Sequence, residues 1–332
     1  MSKKSKIKSW ISAARLRTLP LSISGILMGC SCALFSINLN KERVTIFTDM
    51  DFSISNQFWF ITLLGIITTL GFQVLSNFAN DYGDGVKGTD NEDRIGPERA
   101  IQSGAITAKQ MKIAIILTAT ISLISAIALI AMSLSFDEVL IASVFLFLAI
   151  IAIWAAIKYT VGDNAYGYKG LGDVFVFIFF GPVSVMGMYY LITKEVYMIN
   201  IIPSTLIGLL SVAVLNLNNM RDVISDSKVG KNTLVVKIGF ERAKKLHLFI
   251  VVIALLMLVC HLLLQFTQLS YFDEITSYLL LIPLFGVIPL ISHIIRVHNT
   301  EEPISLDPEL KKVALSTFLI SVLSFTSQVL VF

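Results

Sequence analysis

QMKIAIILTATISLISAIALIAM at residues 110–132 and EVLIASVFLFLAIIAIWAAI at residues 138–157 decide the fold of this chain. Each is an apolar run of the roughly 20 residues that an α-helix needs to cross a bilayer. Only Ser-Leu-Ser-Phe-Asp separates them. Outward from this pair, similar runs lie near 18–36, 57–76, 171–192, 198–217, 246–266, 275–295 and 312–331. Several contain Gly, Pro, Ser or Thr, which neighbouring helices accommodate in a bundle. The whole chain agrees: its 332 residues are 55% hydrophobic and 15% charged, against about 25% charged in a soluble domain. The mean hydropathy is +0.78. The expected fold is all-α, a polytopic membrane bundle of about nine transmembrane helices.

Lys and Arg orient the bundle. With the N-terminus in the cytoplasm, only Lys41, Arg43 and Lys194 face the other side, and 23 of the 26 basic residues face the cytoplasm. That bias is the positive-inside signal of a multi-pass protein of the plasma (inner) membrane, and it supports an odd number of crossings. The net charge of +3 is too small to indicate nucleic acid as a partner; membrane lipid is the expected surrounding. MSKKSKIKSW followed by an apolar run imitates a signal peptide, and Leu27-Met28-Gly29-Cys30 a lipoprotein cleavage site. With many spans following, the reading is an uncleaved first helix. Cys30, Cys32 and Cys260 sit within apolar spans, so no disulfide or thiolate metal cluster is expected. His247, His261, His293 and His298 form no HExxH pair, which excludes that kind of zinc hydrolase.

Polar residues collect in two cytoplasmic connections. The first, after span two, reads NFANDYGDGVKGTDNEDRIGPER over residues 77–99, and the second, after span six, reads NLNNMRDVISDSKVGKN over residues 216–232. Each opens with Asn-x-x-Asn or a near repeat of it and then places two aspartates about one helical turn apart. If the spans continue as helices, Asn77, Asp81 and Asp84 fall on one face, as do Asn218, Asp222 and Asp226. Stacked carboxylates repel and call for a cation, and hard oxygen ligands suit Mg2+, which is usually held by a few carboxylates plus substrate phosphates. Asp90 follows in a Gly-rich stretch able to fold back on the same ion. Lys87, Arg94, Arg99 and Lys231 are interleaved, and such residues grip phosphate oxygens. Five carboxylates, a diphosphate, two magnesium ions and four basic residues come close to neutrality. A single loop of this kind is ordinarily a solvated face; the matched pair argues otherwise. A third connection carries Tyr159, Tyr166, Tyr168, Lys169 and Asp173, placed to line the same mouth and to face a developing cation or an acceptor.

NFANDYGDGVKGTDNEDRIGPERAIQSG and NLNNMRDVISDSKVGKNTLVVKIG resemble the two aspartate-rich motifs of the UbiA-type intramembrane prenyltransferases. The Arg15-Leu-Arg17-Thr18-Leu19-Pro20 segment and Gly170-Leu-Gly172-Asp173 extend the likeness over nearly the whole chain. Within that superfamily it is most similar to the branch acting on 1,4-dihydroxy-2-naphthoate. The resemblance implies a helical bundle around a central cavity open to the bilayer, and one domain over residues 1–332. The spacing from Asn77 to Asn216, about four helices of chain, suggests that this domain holds a basic N-terminus (1–17), two four-helix halves and a ninth helix. The resemblance implies Asp81, Asp84, Asp222 and Asp226 as catalytic ligands of Mg2+, with Asp90 a further metal ligand. Asn77, Lys87, Arg94, Arg99, Asn218 and Lys231 would bind substrate, and Tyr168 and Asp173 would join the catalytic set. Many superfamily members carry another Asp four residues after NDxxD, where this chain has Gly88. The implied substrates are a polyprenyl diphosphate and dihydroxynaphthoate, the latter losing its carboxylate. Alternative readings are another acceptor (4-hydroxybenzoate, haem or a glycerol phosphate lipid), a secondary transporter with acids deep in its spans, and a scaffold without chemistry.

Overall fold

A computed structural model describes residues 3–41, 51–88, 99–268 and 278–331. Nine helical spans among the described residues are long and apolar enough to cross a membrane. Because hydrocarbon offers no hydrogen-bond partners, each span must satisfy its backbone internally, and helices do so. The elements are α1 (Lys3–Ala14), α2 (Leu19–Lys41), α3 (Asp51–Lys87), α4 (Ala108–Ser133), α5 (Val139–Lys158), α6 (Gly172–Ile178), α7 (Ser184–Thr193), α8 (Ile201–Arg221), α9 (Val223–Lys228), α10 (Leu234–Ile238), α11 (Phe240–Gln268), α12 (Ile288–Asn299) and α13 (Asp307–Val331).

Three departures from the sequence reading matter. The helix of span two does not stop near residue 76 but runs to Lys87, carrying Asn77, Asp81 and Asp84 on one continuous helix. Span five is broken between α6 and α7 by a π-helical turn, Phe179–Val183, which contains Pro182. Span eight opens with a 3-10 segment, Ile282–Val287, before α12.

Burial separates the helices by role. Most of α8 is buried on all sides, including Leu206, Ile207, Leu210, Leu217 and Met220, so it is the central pillar. In α5, by contrast, Leu140, Phe147, Ile150 and Trp154 are exposed. A helix apolar all round faces lipid as readily as protein. Small residues set the closest approaches: a Cβ on Gly29 of α2 would lie 2.6 Å from the Val185 carbonyl oxygen of α7, which is how helices without a hydrophobic driving force reach van der Waals contact.

At the N-terminal end of the chain, Trp10 of α1 packs edge-on against Phe78 of α3, with ring centroids 5.6 Å apart. The chain then turns at Arg15, whose φ of 50° and ψ of 58° lie in the left-handed region. That conformation is uncommon outside Gly and Asn, and here it aims a guanidinium at the end of α3.

Candidate active site

The site lies where α3, the 159–170 connection and the α8–α10 region meet. Asp81 and Asp84 are only 2% and 4% exposed. Arg99 spans the two: its Nη1 is 3.3 Å from Asp81 Oδ1 and its Nη2 is 3.0 Å from Asp84 Oδ2. Arg15 Nη2 approaches the same Asp81 Oδ1 at 3.3 Å, and the Ala100 backbone N–H donates to Asp81 Oδ2 at 3.3 Å. Gly83, between the two acids, leaves room for Thr160, whose main chain a Cβ would meet at 2.8 Å. Thr160 Oγ1 then donates to the Ala79 carbonyl, pinning the third connection to the end of α3.

The second acidic cluster sits at a break. Helix α8 ends at Arg221, and Asp222 (φ −94°, ψ 9°) joins it to α9. The i+4 hydrogen bonds continue through the break, from Asp222 N to Asn218 O and from Asp226 N to Asp222 O. The predicted stacking of Asn218, Asp222 and Asp226 therefore survives with a kink. Lys231 Nζ is 3.2 Å from Asp226 Oδ1, and Asp226 Oδ2 is buried without a partner. Burial pushes the Asp226 carboxyl up to about 6, and the charges of Asp222 and Asp84 add to the rise while Lys231 opposes it. Burial works against a charged Lys231, but Asp226 and Asp84 hold its ammonium above the ordinary value.

Tyr168 joins the two acidic clusters. Its hydroxyl donates to Asp84 Oδ1 at 2.9 Å, and its carbonyl accepts from the Asn232 backbone N–H. Lys87 Nζ lies 4.1 Å and Lys231 Nζ 5.9 Å from its ring centroid, within cation–π range. Lys231 thus touches Asp226 on one side and the ring bound to Asp84 on the other. Tyr159 is half-buried behind this junction. Desolvation, then the charges of Asp173, Asp226 and Asp84, push its phenol well above the usual range.

The structure thus brings together Asp81, Asp84, Asp226, Tyr168, Lys87, Arg99 and Lys231. Asp222 joins at the kink. Asp173 is half-buried at the start of α6; its charge reaches Tyr159, but among the described residues its carboxylate has no ion-pair partner. Asn77 is occupied elsewhere: its amide donates to the Ala14 carbonyl at 2.9 Å and to Thr18 Oγ1 at 3.4 Å, so it fixes the turn that presents Arg15. Asn218 Oδ1 accepts from Arg221 at 2.9 Å. Tyr166 donates to Ala155 O and stacks on Phe175, bracing the connection, while Lys169 Nζ turns to Asn164. Asp90 and Arg94 lie outside the described residues. The sequence reading assigned no role to Arg15 or Arg221; the unusual Arg-Leu-Arg-Thr-Leu-Pro run and the Arg-Asp pair were the available signals. Among the described residues no three acidic, His or Cys side chains converge as a ready-made cation cage; Asp81, Asp84, Asp222 and Asp226 are instead each held by a basic neighbour.

Nine apolar spans with a buried, arginine-braced acidic mouth define an integral-membrane enzyme that handles a polyanionic substrate, and the chain belongs to the UbiA prenyltransferase family, matched over residues 51–304. It is 38% identical over 320 residues to the 1,4-dihydroxy-2-naphthoate octaprenyltransferase of Haemophilus influenzae, covering 96% of this chain and 94% of that one. The enzyme of the same name from Escherichia coli is 42% identical over 243 residues, 73% of this chain and 72% of that one. In fold the chain is similar to a UbiA homologue from Archaeoglobus fulgidus solved bound to GPP and Mg2+. The TM-score there is 0.59 at 16% identity, over 96% of this chain and 99% of that one.

Proposed function

We propose that this protein transfers a polyprenyl chain from its diphosphate to 1,4-dihydroxy-2-naphthoate, with loss of carbon dioxide, in menaquinone biosynthesis. The product is a demethylmenaquinone precursor. The observation that carries the reading is the junction at Tyr168 and Lys231, which links the Asp81/Asp84 cluster to Asp226.

In this reading Asp81, Asp84, Asp222 and Asp226 hold Mg2+, with Asp90 as a further ligand. The donor set fits: all are hard oxygens, and the orphaned Asp226 Oδ2 has an acceptor to offer. Bound there, Mg2+ supplies charge neutralisation for the departing diphosphate. Arg15, Lys87, Arg94, Arg99 and Lys231 bind the diphosphate oxygens. Arg99, whose fork already spans two carboxylates, moves from pairing with them to orienting the leaving group. Asn77 and Asn218 hold Arg15 and Arg221 in place. Tyr168 keeps Asp84 oriented and presents its ring to the allylic cation as the C–O bond breaks. Exclusion of water from that cation would fall to the apolar residues of the surrounding spans, until the electron-rich ring forms the new C–C bond. Asp173 and Tyr159 stand behind the junction and shape its field.

We also infer that the chain is one domain of two four-helix halves plus a ninth helix, with its N-terminus in the cytoplasm of a cell whose inner membrane it spans. The Asn77/Asp81/Asp84 and Asn218/Asp222/Asp226 correspondence supports the halves, and the distribution of Lys and Arg supports the orientation.

The test is prenylation by the purified full chain in proteoliposomes, with labelled prenyl diphosphates of several lengths and either 1,4-dihydroxy-2-naphthoate or 4-hydroxybenzoate. Label should enter the naphthoate, with release of carbon dioxide, only when Mg2+ is present. Labelling of 4-hydroxybenzoate alone would overturn the acceptor assignment, and transfer unaffected by EDTA would overturn the metal.

A further inference from the structure

Arg221 is the largest side chain among those fully buried, at 1% exposure, and its guanidinium is shared among three residues. Its Nε donates to Asp222 Oδ1 at 2.8 Å and its Nη2 to Asp222 Oδ2 at 2.6 Å, a two-pronged grip on one carboxylate. The same Nη2 donates to Asn218 Oδ1 at 2.9 Å. Nη1 reaches across to the first turn of α13 and donates to Asp307 Oδ1 at 2.7 Å. Asp307 lies beyond residue 304, the last residue of the family match.

The far end of this link is itself anchored. Two residues after Asp307, the fully buried Glu309 places Oε2 2.8 Å from His293 Nδ1 of α12. His293 Nε2 lies 2.8 Å from His247 Nε2 of α11. Lys312 Nζ holds the other Glu309 oxygen at 2.9 Å. Three helices thus fix where the first turn of α13, and with it Asp307, stands relative to α8.

A two-pronged guanidinium grips both carboxylate oxygens and fixes the plane of the group. A cation at Asp222 would feel two opposing effects of Arg221: orientation of its ligand, which helps, and a positive charge beside it, which hinders. Asp307 shares that charge and turns the balance toward binding.

We propose that Arg221 and Asp307 form a positioning pair that orients Asp222 and sets the affinity of the second aspartate cluster for its divalent cation. The inference rests on the reading of Asp222 as a metal ligand. Asp307 is the practical handle, because its side chain is 44% exposed and Asp307→Asn keeps the size and an acceptor oxygen for Arg221 while removing the charge.

Two readouts test it on the full chain purified in detergent. Mn2+ binding is followed by loss of the free-ion EPR signal, and prenyl transfer is titrated with Mg2+ at saturating prenyl diphosphate. Asp307→Asn should weaken Mn2+ binding and raise the half-saturating Mg2+ by about three- to tenfold, the effect of one elementary charge near a divalent ion. The KM for prenyl diphosphate at saturating Mg2+ should stay at the wild-type value. Asp307→Glu, which restores the charge, should return both to within about twofold. Metal titrations of Asp307→Asn that superimpose on wild type would overturn the proposal. So would a change in the diphosphate KM without a change in metal affinity. Asp222→Asn separates the two levels: if it binds Mn2+ and turns over normally, the ligand reading falls and the pair falls with it. If it loses both while Asp307→Asn is unaffected, only the positioning pair is refuted.

Discussion

Replacing Asp226 by Asn should make the metal-free protein more stable while removing its activity. The Asp226 carboxyl titrates near 6 instead of at an ordinary 3.8, first because it is buried and then because Asp222 and Asp84 repel its charge. Asn mimics the protonated form. At about 1.4 kcal/mol per pH unit, keeping the wild-type group ionised at pH 7.5 costs about 3 kcal/mol relative to the unfolded chain. The sign follows from the raised value: the cost is absent below pH 3.8, develops as pH rises toward 6, and is complete above it. At pH 5 about half of it remains. Thermal unfolding of the purified protein in EDTA should therefore show Asp226→Asn melting a few degrees above wild type at pH 7.5, with the gap narrowing at pH 5. Mg2+ should raise the Tm of wild type and leave the variant unmoved. Equal melting at pH 7.5, or a gap that does not depend on pH, would refute the claim that this acid is held ionised against its surroundings for a cation.

Arg99→Lys keeps the charge but loses the fork that spans Asp81 and Asp84; steady-state kinetics should show the KM for prenyl diphosphate rising about tenfold, with the acceptor KM unchanged. An equal rise in both would assign Arg99 to structure. Tyr168→Phe removes a hydrogen bond to the Asp84 carboxylate, a bond worth about 2 kcal/mol, so kcat/KM should fall by more than tenfold; wild-type turnover would remove Tyr168 from the site. Gly29→Ala pushes a methyl group against the Val185 carbonyl of α7 and should destabilise the bundle by about 1–3 kcal/mol, read as a lower Tm; an unchanged Tm would mean that α2 and α7 pack more loosely than described.

The spans were legible because a bilayer imposes one rule on every crossing segment, and long apolar runs such as 138–157 satisfy it openly. Asp81, Asp84 and Asp226 were legible because a helical period of 3.6 puts them on shared faces. What escaped the sequence was tertiary. Asn77 matched the motif, yet its amide serves the Arg15 turn, and nothing local announces that Arg15 will adopt a left-handed backbone. His247 and His293, 46 residues apart, read as isolated histidines because their meeting depends on how α11 and α12 pack. Arg221 was hidden by its setting: an Arg beside an Asp in a polar loop looks like a solvated pair, and only burial between α8 and α13 makes it a link.

The π turn at Phe179–Val183 amounts to one extra residue threaded into a membrane span. Each side chain after it is swung by about 100° from where an uninterrupted α-helix would carry it. Val185 and Met188 reach Gly29 through that offset. Losing a single codon from this stretch would therefore act as a rotation rather than a shortening: the span would still cross the bilayer, but α7 would offer a different stripe of side chains to α2, and the seam between them would no longer close.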